Sequence, residues 1–184
     1  MIKQRMINEY LPAEPCDLGE GPLWHPIRQS LFWFDINAFK IHNWHEGKLE
    51  TWVFSEPVSA AGWIDEDNLI VASASALIKL SLSTGNKDTL VKLEGDMPQN
   101  RSNDGRADPW GGFWVGTMGL KAEPNSGSIY RFYKGELRKL HQNITIPNSI
   151  CFSPDQSFGY FADTRKKKIW KQELDTATGW PIDD

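Results

Sequence analysis

Oxygen-bearing side chains recur at one position of a repeated sequence pattern. Glu20, Asp104 and Asn148 each stand directly before a Gly or Ser that opens a short apolar segment, and the same position in the remaining copy is Ala61. Equivalent positions of a repeat arranged around one axis lie at equivalent depth, so these three side chains are expected to converge. A cluster of carboxylate and amide oxygens suits a hard divalent cation, which would also relieve repulsion between the two carboxylates. The alternative is that each residue caps a turn and faces solvent.

A second group of polar residues adjoins this position in the third copy. The segment Arg101-Ser102-Asn103-Asp104-Gly105 places a guanidinium and an amide beside the expected cation. Arg supplies forked donors, and Asn both donates and accepts, so the pair suits a hydroxylated or carbonyl-bearing ligand. Asn-Asp-Gly taken alone indicates only a turn.

The elements that must position these residues form a repeat. Its anchors are Gly21, Gly62, Gly105 and Ser149, which follow one another at intervals of 41, 43 and 44 residues. Each copy reads as short apolar or aromatic strands separated by polar turns, with β-branched and aromatic residues in the apolar runs. Four short strands in 40 to 50 residues are typical of a β-propeller blade. A β-sandwich with coincidental spacing is the alternative.

The repeat predicts an all-β fold, a single incomplete β-propeller over residues 1–184. The approximate blade units are 20–60, 61–103, 104–147 and 148–184. About four blades are thus represented, the last of them in part, and residues 7–11 are predicted to form a strand with no partner in their own unit. An open ring exposes blade faces and predicts self-association.

Composition excludes several classes of function. The 184 residues carry a formal net charge of −4, so no basic surface for nucleic acid is expected. No window reaches 18 consecutive apolar residues and no signal peptide is evident, so no membrane association is predicted. The two cysteines, Cys16 and Cys151, are too few and too far apart for a disulfide scaffold or a zinc knuckle, which favours a cytoplasmic protein.

Four motifs carry a resemblance to a known family. They are CDLGEGPLW at 16–24, RSNDG at 101–105, GTM at 116–118 and IPN at 146–148. In this order and spacing they resemble the senescence marker protein (regucalcin), gluconolactonase and luciferin-regenerating-enzyme family, and especially its bacterial sugar lactonases. The resemblance implies a six-bladed propeller with one divalent metal that hydrolyses aldonolactones to the open acids.

The resemblance also implies a ligand set for the metal. Glu20 and Asn148 match metal ligands, with Ca²⁺, Mg²⁺, Mn²⁺ and Zn²⁺ all open as the bound ion. The third ligand of the family is an Asp that resembles the general acid/base, and it would lie beyond Asp184. Asp163 is out of phase with that position, so no catalytic base is assigned and this chain alone is expected to be inactive or very weak.

Substrate positions follow from the same resemblance. Arg101 and Asn103 match substrate-binding residues, and Asp104 is given a supporting role. Lys121 falls at a further substrate position that is acidic in the animal proteins, which leaves the particular sugar open. The expected partner is a small sugar lactone.

Two other functions remain open at this point. A propeller that binds a cation as a scaffold without chemistry would share the ligand residues, since a fold alone does not imply a function. A related metal-dependent esterase acting on other lactones or on phosphoesters would share the site and differ in its substrate pocket.

Overall fold

The computed structural model describes residues 13–182. Within that range the chain forms fifteen β-strands, and no helix long and apolar enough to cross a membrane occurs there. The strand predicted at residues 7–11 lies outside the described residues.

The strands are short and follow one another through tight turns. In chain order they are β1 Gly19–His25, β2 Ser30–Asp35, β3 Lys40–His45, β4 Lys48–Val53, β5 Val58–Trp63, β6 Asn68–Ser73, β7 Ala76–Ser81, β8 Lys87–Lys92, β9 Asn100–Ala107, β10 Phe113–Gly119, β11 Gly127–Tyr133, β12 Glu136–Ile144, β13 Pro147–Phe152, β14 Phe158–Asp163 and β15 Lys168–Glu173.

Consecutive strands pair antiparallel in four separate sheets. The first three sheets each have four strands in sequential order, and the fourth has three, β13-β14-β15. The first strands of neighbouring sheets, β1, β5, β9 and β13, contact one another in that order. Sequential four-stranded sheets arranged around their first strands are the blades of a β-propeller, so the predicted fold class is confirmed.

Apolar side chains fill the spaces between neighbouring sheets. One buried cluster, including Phe32 and Phe34, joins the first and second sheets. A second, including Phe113, joins the second and third, and a third, including Trp114 and Phe161, joins the third and fourth. Strands buried on both faces explain the runs of aromatic and β-branched residues in the sequence. This packing fixes the first strands side by side.

Each first strand contains a β-bulge, and this shared feature shows which residues of the copies are equivalent. In β1 and β13 the cross-strand pairing shifts directly after Glu20 and Asn148, whereas in β9 it shifts directly after Ser102. Ser102 is therefore the residue equivalent to Glu20 and Asn148, and Asp104 lies two residues further along. The prediction that Asp104 occupies the equivalent position is wrong, because the linkers before β5, β9 and β13 differ in length, and the Gly anchor of the third copy is therefore two residues out of register with Gly21.

Candidate active site

The first halves of the inner strands bring the predicted site residues to one end of the propeller. Glu20 lies in β1, Arg101, Asn103 and Asp104 in β9, and Asn148 in β13. Inner strands β1, β5 and β9 line a groove of about 450 Å³ whose walls include Glu20 and Asp104. Glu20 and Asp104 therefore share this groove, whereas Arg101, Asn103 and Asn148 are not among its lining residues.

A chain of hydrogen bonds joins the third sheet to the fourth. Arg101 Nη1 donates to Asn103 Oδ1 at 2.9 Å, and Asn103 Nδ2 donates to Asn148 Oδ1 at 3.2 Å. Asn148 Nδ2 in turn donates to Thr164 Oγ1 at 2.8 Å. This sequence of donors and acceptors fixes the orientation of both amides, so the carbonyl oxygen of Asn148 faces β9 rather than Thr164.

Glu20 is held by its backbone rather than by its side chain. The carboxylate is exposed and makes no hydrogen bond or ion pair with any of residues 13–182. The next residue, Gly21, has φ 57°, and a Cβ placed there would come within 2.6 Å of the Ser59 carbonyl oxygen and 2.8 Å of the Phe34 ring. Only glycine fits this bulge, which directs Glu20 toward the groove with its oxygens available for a ligand.

Asp104 is a carboxyl group in an unfavourable electrostatic position. Burial raises its pKa and the negative charge of Glu20 raises it further, while a hydrogen bond donated by the Ile150 amide at 2.8 Å acts in the opposite direction. Burial lowers the pKa of Arg101, and the same Glu20 opposes that change. Glu20 is thus within electrostatic range of both groups, and the end of the groove favours a further positive charge.

The side chains present fit a hard divalent cation in part. Glu20 offers free carboxylate oxygens and Asn148 an oriented amide oxygen, both of the donor type that Ca²⁺, Mg²⁺ and Mn²⁺ prefer. Within residues 13–182, however, no group of three or more His, Cys, Asp or Glu side chains is arranged to hold a metal ion. The role of Glu20 and Asn148 as metal ligands therefore stays a prediction.

Asp163 has a different environment from the groove residues. It is fully buried at the end of β14, where its carboxylate accepts hydrogen bonds from the amides of Thr145 at 2.8 Å, Ile146 at 3.1 Å and Arg165 at 3.0 Å. Burial opposes ionisation, but these backbone donors outweigh it and hold the pKa below its usual value. Asp35 makes the same kind of contacts at the end of β2. Each carboxylate thus links, by hydrogen bonds, the end of the second strand of its sheet to the residues just before the first strand of the same sheet.

Lys121 lies at the edge of a second cavity on the same end of the propeller. Its side chain is exposed, and its backbone amide donates to Glu123. The neighbouring Leu120 and the predicted substrate residue Arg101 both line this cavity, whose volume is about 750 Å³. Its role in substrate binding stays a prediction.

Sequence reasoning missed three polar residues of this larger cavity. Glu56, Glu94 and Asn100 all line it. The two carboxylates lie in the linkers between sheets, at 54–57 and 93–99. Because these linkers differ in length, Glu56 and Glu94 do not recur at a fixed position of the repeat. The sequence feature that could have indicated them is a hydroxyl residue at the same position of the second strand in the second and third sheets. Ser73 donates its hydroxyl to Glu56, and Thr117 donates its hydroxyl to Glu94.

Several proteins of known sequence or structure are similar to this chain. A Rhizobium meliloti (strain 1021) protein, provisionally named a sugar lactone lactonase, is 37% identical over 176 residues, and a Pseudomonas putida 6-deoxy-6-sulfogluconolactonase is 30% identical over 175. Matches cover 95% and 92% of this chain but 60% of each relative. The crystal structure of a calcium-binding protein, regucalcin, from Agrobacterium tumefaciens str. C58 superposes with TM-score 0.90 at 41% identity, covering 93% of this chain and 59% of that one.

The chain thus spans about 60% of the length of the relatives that it matches. The family model for the SMP-30/Gluconolactonase/LRE-like region matches residues 18–181, which include every predicted site residue. With the propeller blades, the oriented Arg101–Asn103–Asn148 chain and the free carboxylate of Glu20 in place, this match shows that the chain belongs to the SMP-30/gluconolactonase/LRE-like family.

Proposed function

We propose that the chain is the larger part of a metal-dependent lactonase that opens sugar lactones to the corresponding acids. The observation that carries the proposal is the hydrogen-bonded series Arg101–Asn103–Asn148, which joins two predicted sugar-binding side chains to a predicted metal ligand. The lactonase names of the two bacterial relatives support the reaction class.

Two residues of the chain are assigned to the cation. Glu20 contributes its free carboxylate and Asn148 its amide oxygen, to one ion among Ca²⁺, Zn²⁺, Mg²⁺ and Mn²⁺. When bound, a divalent cation supplies Lewis acidity at a carbonyl and lowers the pKa of an attached water. The calcium-binding description of the Agrobacterium structure supports a divalent ion without fixing which one.

The remaining residues hold the sugar in place. Arg101 has further N–H donors beyond the Nη1 that contacts Asn103, and these are available to the hydroxyl oxygens of a bound sugar. Positioning of this kind lowers the entropic part of the barrier, because the lactone carbon is already directed toward the attacking water. In the overall reaction water adds to the carbonyl carbon, the ring C–O bond breaks, and the ring oxygen leaves as a hydroxyl. The proton acceptor is expected in an Asp beyond Asp184.

A cation-binding propeller without catalysis is the second candidate. It is favoured by the calcium-binding description of the structural neighbour. It is also favoured by Asp104, because burial and the charge of Glu20 both disfavour its ionised form and a nearby cation would stabilise that form. The same ligands serve both candidates, so turnover rather than metal binding separates them.

Titration calorimetry with Ca²⁺ and Mn²⁺, combined with a gluconolactone hydrolysis assay on the same samples, tests the proposal. Glu20→Gln is expected to abolish metal binding and any hydrolysis, because it removes the charged ligand and keeps the shape. Glu50→Gln, in the outer strand β4, is the control and leaves both unchanged. Metal binding without hydrolysis, in a chain extended to the length of the relatives, would support the scaffold instead. Hydrolysis that survives Glu20→Gln unchanged would contradict the lactonase mechanism.

A further inference from the structure

The larger cavity opens at the same end of the propeller as the groove. It lies between the linkers and turns of the first three sheets, and Arg101 belongs both to its lining and to the hydrogen-bonded series that joins β9 to β13. At about 750 Å³ it has room for the part of a sugar that extends away from the lactone carbonyl. The polar groups that line it therefore bear on which sugars fit.

Glu56 presents one bonded and one free carboxylate oxygen. Its Oε1 accepts hydrogen bonds from the Ser75 hydroxyl at 2.8 Å, the Ser75 amide at 3.2 Å and the Ser73 hydroxyl. Its Oε2 has no hydrogen-bond partner among residues 13–182. The three donors fix the carboxylate in one orientation and leave an acceptor in the cavity wall.

Asn100 positions a neighbouring carboxylate of the wall. Its Nδ2 donates to Glu94 Oε2 at 2.8 Å and to the Ser126 carbonyl at 2.9 Å, so the amide cannot flip without losing both bonds. The side chain is 3% exposed, and its Oδ1 is buried with no partner in the described part of the chain. The two donated bonds hold Asn100 in place, and through the first of them it fixes the orientation of the Glu94 carboxylate.

Glu94 adds a further negative charge beside Asn100. Its Oε1 accepts hydrogen bonds from Tyr130 at 2.7 Å and Thr117 at 3.0 Å. Desolvation raises the pKa of Tyr130, and the hydrogen bond to Glu94 raises it further, so the phenol keeps its proton and remains a donor. The Glu94 carboxylate therefore stays in the wall as an oriented acceptor.

The distribution of charge in this cavity is uneven. Among the lining residues the carboxylates are Glu56 and Glu94, and the cation is Arg101, whose Nη1 is directed to Asn103. Lys121, next to the lining residue Leu120, is exposed and screened by solvent. The wall formed by Glu56, Glu94 and Asn100 thus offers acceptors and negative charge.

We infer that Glu56, Glu94 and Asn100 form a specificity subsite that accepts the hydroxyl groups of an uncharged sugar tail and rejects a tail that ends in phosphate or sulfonate. Hydroxyls donate to the free oxygens, whereas an anionic tail brings like charges together in a partly desolvated wall. This inference rests on the proposed function, because it places a sugar ring in the neighbouring groove.

Binding of two unreactive ring analogues tests it on the chain as it is. The probes are 1,5-anhydroglucitol and its 6-phosphate, which have the sugar ring but no lactone carbonyl, measured by saturation-transfer NMR and calorimetry. The neutral ring is expected to bind about ten-fold or more tightly than the phosphate. Glu56→Gln keeps an oxygen for Ser75, removes the charge and places an N–H donor in the wall, so it is expected to reduce that difference several-fold.

The control is Glu46→Gln, an exposed carboxylate in the turn between β3 and β4 at the opposite end of the propeller. It is expected to leave the ratio of the two affinities unchanged, and circular dichroism checks that each variant is folded. Equal or tighter binding of the phosphate, an unchanged ratio in a folded Glu56→Gln variant, or no binding of either ring would overturn the inference. Binding of the neutral ring together with failure of lactone hydrolysis in an extended chain would overturn the proposed reaction and leave the subsite supported.

Discussion

Asn103 donates its side-chain amide to Asn148 Oδ1 at 3.2 Å and to the Pro147 carbonyl at 2.8 Å. These two bonds cross from β9 to β13, so a predicted substrate residue directly orients a predicted metal ligand. Arg101 extends the connection by donating to Asn103 Oδ1 at 2.9 Å. Changes at the sugar-binding side chains are therefore expected to alter metal affinity as well.

Asn103→Ala is expected to weaken Mn²⁺ binding about ten-fold, in the range typical for loss of a side chain that orients a metal ligand. Asn148 would lose the donor that holds its oxygen toward β9. Calorimetric titration measures the change, with Asn86→Ala as the control because Asn86 is exposed in the turn between β7 and β8. Equal affinities for the two variants would show that Asn103 does not orient Asn148.

Gly21→Ala is expected to lower stability and metal affinity together. Alanine at φ 57° is strained, and its Cβ would also contact the Ser59 carbonyl and the Phe34 ring, which displaces the adjacent Glu20. Gly47 is a matched control, since it has φ 83° but open space around it. Gly47→Ala is expected to cost about 1–2 kcal/mol and to leave metal binding unchanged.

Chemical denaturation and metal titration of the two glycine variants separate backbone strain from displacement of Glu20. If Gly21→Ala binds the cation as tightly as Gly47→Ala does, then the bulge does not position the carboxylate.

Asp163→Asn is expected to lower the free energy of unfolding by about 1–3 kcal/mol, because at least one amide donor would lose its charged acceptor. The folded-state pKa of Asp163 lies below its unfolded value, so its stabilising contribution is present above the unfolded pKa and is lost as the pH falls through the folded pKa. Urea denaturation between pH 7 and pH 3 should therefore show a smaller pH dependence in the variant.

The same variant tests whether Asp163 has a catalytic role. In a chain extended to the length of the relatives, hydrolysis per folded molecule is expected to match the wild type. A loss of turnover without a loss of stability would place Asp163 in the reaction and contradict its assignment as a structural carboxylate.

Arg131→Met is expected to destabilise the chain by about 3–5 kcal/mol, because it leaves the buried Asp108 carboxylate without its cation. Arg131 Nε donates to Asp108 Oδ2 at 2.6 Å with both side chains fully buried, and the guanidinium lies 4.4 Å from the Trp180 ring centroid. Arg138 lies at the same distance from Trp180 but is exposed. Arg138→Met should cost under about 1 kcal/mol, and equal losses by thermal denaturation would contradict this assignment.

Much of the fold follows from local sequence pattern. Aromatic and β-branched runs broken by polar turns indicate short strands, and the interval of about 43 residues groups them into blades. The anchors at Gly21 and Ser149 match in the structure as well, since both directly follow a predicted metal ligand and have positive φ. Propensity and periodicity are properties of neighbouring residues, so the sequence is sufficient to reveal them.

The placement of Asp104 depends on tertiary structure. Its sequence neighbours make it resemble Glu20 and Asn148, yet the cross-strand register of β9 gives that position to Ser102, which is buried and bonded to Ser59 in the neighbouring sheet. Register is decided by how strands pair across a sheet, and the two-residue offset falls within the variation in length of the linkers between sheets.

The sequence by itself determined the strands, the repeat and the candidate site residues Glu20, Arg101, Asn103 and Asn148. Only the tertiary structure decided that Glu56 and Asn100 share a cavity wall, because they come from different linkers and strands and have no common spacing. Cavities are shaped by contacts between segments distant in the chain, and those contacts exist only after the blades have packed side by side.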